Sequence, residues 1–177
     1  GEGELSFEPA CGLIRATIGD TTVTVNLTDP HSLALNQTIA MNNGNQTVHS
    51  LNTGVPHAVL FVEDADVAMV ASLGEEIRFH DHFAPAGTNV NFVQILSPAH
   101  IRVRTYERGV GETLACGTGV CASAIIAARL NGWPANVQVQ VLGGDTLGVV
   151  FASDSDEFSN VQLTGPAQFV FEGTAMV

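Results

Sequence analysis

Lysine is absent from this chain of 177 residues, and its six arginines stand against eighteen acidic residues, for a net charge of -12. A nucleic-acid binder needs clustered positive charge to displace condensed counterions. That class is therefore excluded, and an anionic membrane surface with it. Long apolar runs are also missing: none approaches the roughly 18 residues that cross a bilayer. Cysteine is scarce. Cys11, Cys116 and Cys121 are too few and too irregular for a disulfide framework, and no CxxC pair occurs that would suggest zinc. A reducing, cytoplasmic setting is the expectation, with no metal. The chain opens Gly1-Glu2-Gly3-Glu4 with neither a basic nor an apolar leader segment, so no signal peptide is expected. What is present is core-forming material. Apolar residues make up 45% and charged residues 14%, in a length that suits one compact domain or two small lobes.

Residues 13–18 and 22–27 read as strands joined at Gly19-Asp20, a hairpin. Residues 29–46 are polar and read as a loop, with Asn42-Asn43-Gly44-Asn45 as a tight turn. Short strands are expected at 48–51 and 57–62. A helix capped by Asp64 is expected over Val67, Val70, Ala71 and Leu73, ending near Gly74. Strands follow at 91–96 and 101–106. A small-residue run from Val120 to Leu130 reads as a buried helix stopped by Asn131-Gly132 and Pro134. The remaining strands are expected at 137–142, 147–152, 160–163 and 168–171. One long helix among many strands reads as α+β, a curled antiparallel, barrel-like sheet around a central helix over residues 117–131.

The segment before that helix carries the strongest chemical signal. Glu107-Arg108-Gly109-Val110-Gly111-Glu112-Thr113 is a charged turn, and Cys116-Gly117-Thr118-Gly119 opens the helix. A helix N-terminus has unpaired N–H groups and a partial positive charge, so it suits a carboxylate or phosphate. Gly117 and Gly119 let a ligand approach the backbone, and Thr118 adds a hydroxyl. The same field is expected to lower the thiol pKa of Cys116 and favour thiolate. A plain connector with a buried cysteine is the competing reading. Cys121 lies roughly 140° further round the helix, among alanines, and reads as core, while Cys11, next to Gly12 at a strand start, reads as structural. Arg108 could clamp a carboxylate, and Glu107 could accept from an ammonium. Solvated turn charges are the alternative. His57 reads by default as a satisfied core histidine. Asn89 and Asn91 flank Val90, and one is expected to face inward and one outward.

The stretch from Tyr106 to Gly119, Tyr-Glu-Arg-Gly-Val-Gly-Glu-Thr-Leu-Ala-Cys-Gly-Thr-Gly, closely resembles the signature of the diaminopimelate epimerase family. Asn52-Thr53-Gly54-Val55-Pro56-His57, Gly87-Thr88-Asn89-Val90-Asn91-Phe92 and Leu163-Thr164-Gly165-Pro166 resemble further family segments in order. The resemblance implies a cofactor-independent isomerase of two similar lobes, with one catalytic cysteine in each and the amino-acid substrate between them. It implies that residues 1–28 are the last strands of the first lobe and residues 29–177 the C-terminal lobe. The first lobe is then a missing partner, and its absence leaves a homodimer open through the uncovered surface. Carried over by resemblance, Cys116 is one of two acid–base thiols acting on LL- and meso-diaminopimelate in lysine and cell-wall precursor synthesis. Gly117 and Thr118 offer amides to the α-carboxylate, Glu107 and Arg108 bind the α-amino and carboxylate groups, Asn89 holds the distal end, and His57 lines the cleft. Val55 stands where the family usually has Asn, one polar contact fewer. With a single matching cysteine, the chain is expected to be inactive alone. The alternatives are a proline-racemase-like or phenazine-biosynthesis-like relative, or a non-catalytic amino-acid-binding lobe.

Overall fold

The computed structural model describes residues 3–7, 14–170 and 172–174. Its strands are β1 (Gly3–Phe7), β2 (Ile14–Ile18), β3 (Thr22–Asn26), β4 (His31–Met41), β5 (Gly44–Asn52), β6 (Pro56–Phe61), β7 (Asn89–Ser97), β8 (His100–Glu107), β9 (Gly111–Thr113), β10 (Asn136–Val141), β11 (Thr146–Asp154) and β12 (Glu157–Pro166). The helices are α1 (Val70–Arg78) and α2 (Gly117–Asn131), with a short 3-10 turn at Asp81–Phe83. All the strands join one sheet in the order β1-β2-β3-β12-β11-β10-β8-β7-β6-β5-β4, with β9 paired to β8 alone.

The sheet wraps α2, as expected, but it is neither antiparallel throughout nor closed. Among the described residues β1 and β4 are the two ends of this strand order. The pairs β6/β7 and β8/β10 are parallel. Parallel neighbours cannot be joined by a tight hairpin and need a crossover. Both helices serve as such connections, α1 between β6 and β7 and α2 between β8 and β10. The architecture is mostly β with two helices and a mixed, open sheet.

The helix α2 packs on β5 to β8 and β10 to β12. Every residue from Gly119 to Ala128 is buried, because alanine, glycine and serine on all sides let strands approach all round. Gly132 ends it in the left-handed region at φ 65°. The helix α1 covers the other sheet face. Alternate residues of β6 and β7 therefore split between two cores: Val59 and Val93 join the α2 cluster, and Ala58, Leu60, Val90 and Phe92 join the α1 cluster.

Several local expectations need correcting. Residues 29–46 are not a loop, since β4 occupies most of them. It is polar because it is an edge strand with one wet face, and its register shifts twice between His31 and Gln37. The expected turn at Asn42-Asn43 does join β4 to β5. The helix α1 starts at Val70 and runs through Gly74. That glycine is not a stop but a close approach: a Cβ there would lie 2.6 Å from Tyr106 Cβ. Asp64 instead accepts from the Asp66 amide at 2.8 Å. The segment before the helix is held extended by Arg104, whose guanidinium donates to the carbonyls of Ala65, Asp66 and Ala68. Residues 167–170 form no strand; residue 171 and Cys11 lie outside the described residues. Among the described residues no helix is long and apolar enough to cross a membrane.

Candidate active site

Register explains why residues far apart in sequence meet. The start of β6 lies beside the start of its parallel neighbour β7, with His57 opposite Asn89. The antiparallel β8 brings its C-terminal end to the same place, with Tyr106 opposite Val90. The N-terminus of α2 closes over these strand ends. His57, Asn89, Glu107, Arg108, Cys116, Gly117 and Thr118 thus fall into one neighbourhood.

A chain of hydrogen bonds runs through it. His57 Nε2 and Thr118 Oγ1 are 3.0 Å apart. Asn91 Nδ2 meets His57 Nδ1 at 3.1 Å and donates to the Ala58 carbonyl at 3.0 Å. Thr105 Oγ1 donates to Asn91 Oδ1 at 2.9 Å. Thr118 Oγ1 lies 3.5 Å from Cys116 Sγ, and Thr53 Oγ1 donates to the Thr118 carbonyl at 3.0 Å, fixing the first turn of α2. Glu107, whose carboxylate is also beside the sulfur, accepts from Thr113 Oγ1 at 2.7 Å. Asn89 Oδ1 accepts from the Arg108 amide at 2.8 Å. The Arg108 guanidinium donates to the Ala86 carbonyl at 3.1 Å, and no carboxylate pairs with it among the described residues. The first intrahelical backbone bond of α2, Val120 N–H to the Cys116 carbonyl, leaves the amides of Gly117 and Thr118 without helical partners.

The electrostatics correct one expectation outright. Cys116 is 7% exposed, and burial pushes its thiol pKa up, not down. The Thr118 hydroxyl and the Gly119 amide favour thiolate, but the Glu107 carboxylate beside the sulfur favours the protonated form. Desolvation of a charged sulfur outweighs the helix terminus. His57 is held neutral: burial, with the Arg108 charge second, lowers its pKa to about 3. Cys121 is entombed in the α2 core, its thiol pushed up to about 12 by burial.

A family model for diaminopimelate epimerase matches residues 49–170, more than half of the chain. The chain belongs to the diaminopimelate epimerase family. The diaminopimelate epimerase of Alkalilimnicola ehrlichii is 42% identical to it, over 98% of this chain and 64% of that protein. That of Aquifex aeolicus is 45% identical, over 96% of this chain and 61% of that protein. The chain therefore spans under two thirds of these relatives. Among solved structures, a probable proline racemase from Agrobacterium radiobacter K84 superposes with a TM-score of 0.72 at 19% identity, over 97% of this chain and 61% of that one. A hydroxyproline epimerase from Agrobacterium vitis gives 0.70 at 21% identity, over 93% of this chain and 56% of that one. These likenesses are of fold.

In this diaminopimelate epimerase family member the hydrogen-bonded chain includes residues to which the sequence alone gives no role. Asn91 is fully buried and Asn89 nearly so. Residues two apart in a strand share a face, so the expectation that one of them faces outward is wrong. Thr105, Thr53 and Thr113 carry no signal of their own in the sequence. The available signal is Asn91 itself, a polar residue amid Val90, Phe92 and Val93, which needs partners if buried. Gly117 has a packing reason of its own, since a Cβ there would lie 3.0 Å from Leu163 Cδ2.

Proposed function

We propose that this chain is part of a cofactor-independent amino-acid epimerase. In this reading it comprises the C-terminal lobe, residues 29–177, with the closing strands of a first lobe in residues 1–28, and it interconverts LL- and meso-diaminopimelate when that lobe is complete. Inverting an α-carbon needs an acid on one face and a base on the other. Cys116 supplies one of the two. Its burial keeps the proton on the sulfur, so it enters as the acid and delivers that proton to Cα. A thiolate from the first lobe removes the α-proton from the opposite face, and the reverse reaction exchanges the roles. The substrate carboxylate docks on the Gly117 and Thr118 amides at the α2 terminus, where the partial charge and Arg108 offset the charge that builds up on deprotonation. Glu107 takes the α-ammonium, and Asn89 helps position the distal end. His57 stands behind Thr118, with both ring nitrogens on protein groups.

The observation that carries this reading is the placement of Cys116 between the amide-rich helix terminus and the Glu107-Arg108 turn, in a chain 42% identical to a diaminopimelate epimerase. The proline-racemase-like and phenazine-biosynthesis-like alternatives share the fold at 13 to 21% identity, and nothing in the site favours them. The test is deuterium incorporation at Cα of diaminopimelate in heavy water. The chain alone should give no net epimerisation, and addition of a first-lobe polypeptide should restore it. Full turnover by the chain alone would refute the two-lobe account, and faster turnover of a proline derivative would refute the substrate.

A further inference from the structure

The hydrogen bonds behind Cys116 run in one direction only. The Ala58 carbonyl can only accept, so the Asn91 atom facing it at 3.0 Å is the amide nitrogen, Nδ2. That orientation leaves Asn91 Oδ1 for the Thr105 hydroxyl at 2.9 Å. The same Nδ2 faces His57 Nδ1 at 3.1 Å, so Nδ1 accepts. A neutral imidazole accepting at Nδ1 carries its hydrogen on Nε2. Nε2 therefore donates to Thr118 Oγ1 across 3.0 Å. With that lone pair taken, the hydroxyl hydrogen of Thr118 is free to turn to the sulfur 3.5 Å away.

We infer that Asn91 is a positioning residue: by fixing the Nε2–H tautomer of His57 it aims the Thr118 hydroxyl as a donor at Cys116 Sγ, stabilising the thiolate left after proton delivery. The relay runs from Thr105 through Asn91, His57 and Thr118 to the sulfur, and each member donates to the next. It offers a hydrogen bond that strengthens as charge appears on a sulfur otherwise held protonated by burial. Gly119 lets the relay form: a Cβ at that position would lie 3.2 Å from His57 Cε1 and 3.3 Å from Asn91 Cγ, and would overlap Asn91 Oδ1. His57 is a fixed donor here, and its low pKa of about 3 keeps it one through the neutral range.

The inference rests on the reading of Cys116 as an acid–base group, but its readouts need neither substrate nor first lobe, so the two can fail separately. Nitrogen-15 NMR of the histidine rings should show His57 neutral and protonated at Nε2 between pH 6 and 8; an Nδ1–H ring would overturn the assignment. Alkylation of Cys116 by iodoacetamide, followed by peptide mass spectrometry against pH, reads the thiolate. Thr118→Val should slow it about tenfold and move its pH profile up by about one unit, the scale of one hydrogen bond to a charged group. Thr118→Ser should restore the wild-type rate within about twofold. Asn91→Asp, isosteric but unable to donate, should move the ring hydrogen to Nδ1 at pH 8 and slow alkylation to the extent of Thr118→Val. The double variant should be no slower than Thr118→Val within about twofold, as expected of one coupled chain. Unchanged reactivity in Thr118→Val, or additive slowing in the double variant, would overturn the relay.

Discussion

Gly119→Ala tests whether the site and the α2 core share one close contact. The added methyl would meet His57 Cε1 at 3.2 Å and Asn91 Cγ at 3.3 Å, and would overlap Asn91 Oδ1 outright. Asn91 cannot retreat cheaply. It is fully buried and tied to Ala58, His57 and Thr105 at 2.9 to 3.1 Å. Either α2 lifts from the strands or the asparagine gives up its partners. Overpacking a filled core costs about 1–3 kcal/mol, and each buried polar group left unpaired costs about 1–3 kcal/mol more. Alanine's better helix propensity returns only about 1 kcal/mol. A net loss of about 2–4 kcal/mol is expected by urea unfolding, or roughly 4–16 °C in Tm for a chain of this size. The matched control is Gly109→Ala. Gly109 has φ +79° and open space, with no neighbour inside 4 Å, on the side a methyl would occupy, so it should lose only about 1–2 kcal/mol of backbone strain. Cys116 alkylation should change in the first variant and not in the second. Wild-type stability with wild-type alkylation in Gly119→Ala would refute the claim that the first turn of α2 is seated directly on the Asn91–His57 pair.

Ile125→Ala in the middle of α2, fully buried, should lower unfolding stability by about 2–5 kcal/mol in urea titration. Arg104→Met should release the segment ahead of α1, because three backbone carbonyls and the Glu112 carboxylate lose their donor together; limited proteolysis should then cut between residues 63 and 69. Lowering the pH should destabilise the chain through His57, whose pKa is about 3 when folded against 6.5 for the free side chain. The unfolded chain binds that proton first, so stability is full above about 6.5 and falls steadily towards pH 3, by about 4 kcal/mol in all; a His57→Gln variant should show a flatter stability profile over that window.

The strands and helix that are legible in the sequence are those with a one-residue cause. The β2–β3 hairpin follows from Gly19-Asp20, and α2 from its run of small residues and the Gly132 stop. The elements that local reading misses are those whose state is decided by a distant partner. Nothing local in residues 29–46 says that β5 pairs with them, so an edge strand looks like a loop. Gly74 looks like a helix stop because the Tyr106 ring that needs its missing side chain is 32 positions away. The mixed sheet is hidden for a related reason. Strand direction depends on the path of the connection, and a helix between two strands does not show in the sequence whether it is a crossover.

The candidate site divides along a similar line. Residue types and their order bring Cys116, Glu107, Arg108, Asn89 and His57 into one hypothesis, but the protonation of the sulfur depends on competing magnitudes that order does not reveal. A helix terminus contributes about 0.3–1 kcal/mol at an exposed position. Desolvation of a buried charge can move a pKa by several units, and a carboxylate next to the thiol adds to that. The sign expected from the Gly-rich turn alone is therefore reversed once burial and Glu107 are in place. In the proposed reading, a protonated cysteine suits the acid half of an inversion better than a resting thiolate would, because the proton to be given is already on the sulfur. What such a site then requires is help for the charge left behind. The donors that lower the Cys116 pKa, the Thr118 hydroxyl and the Gly119 amide, lie on the very turn whose glycine allows Asn91 and His57 to approach.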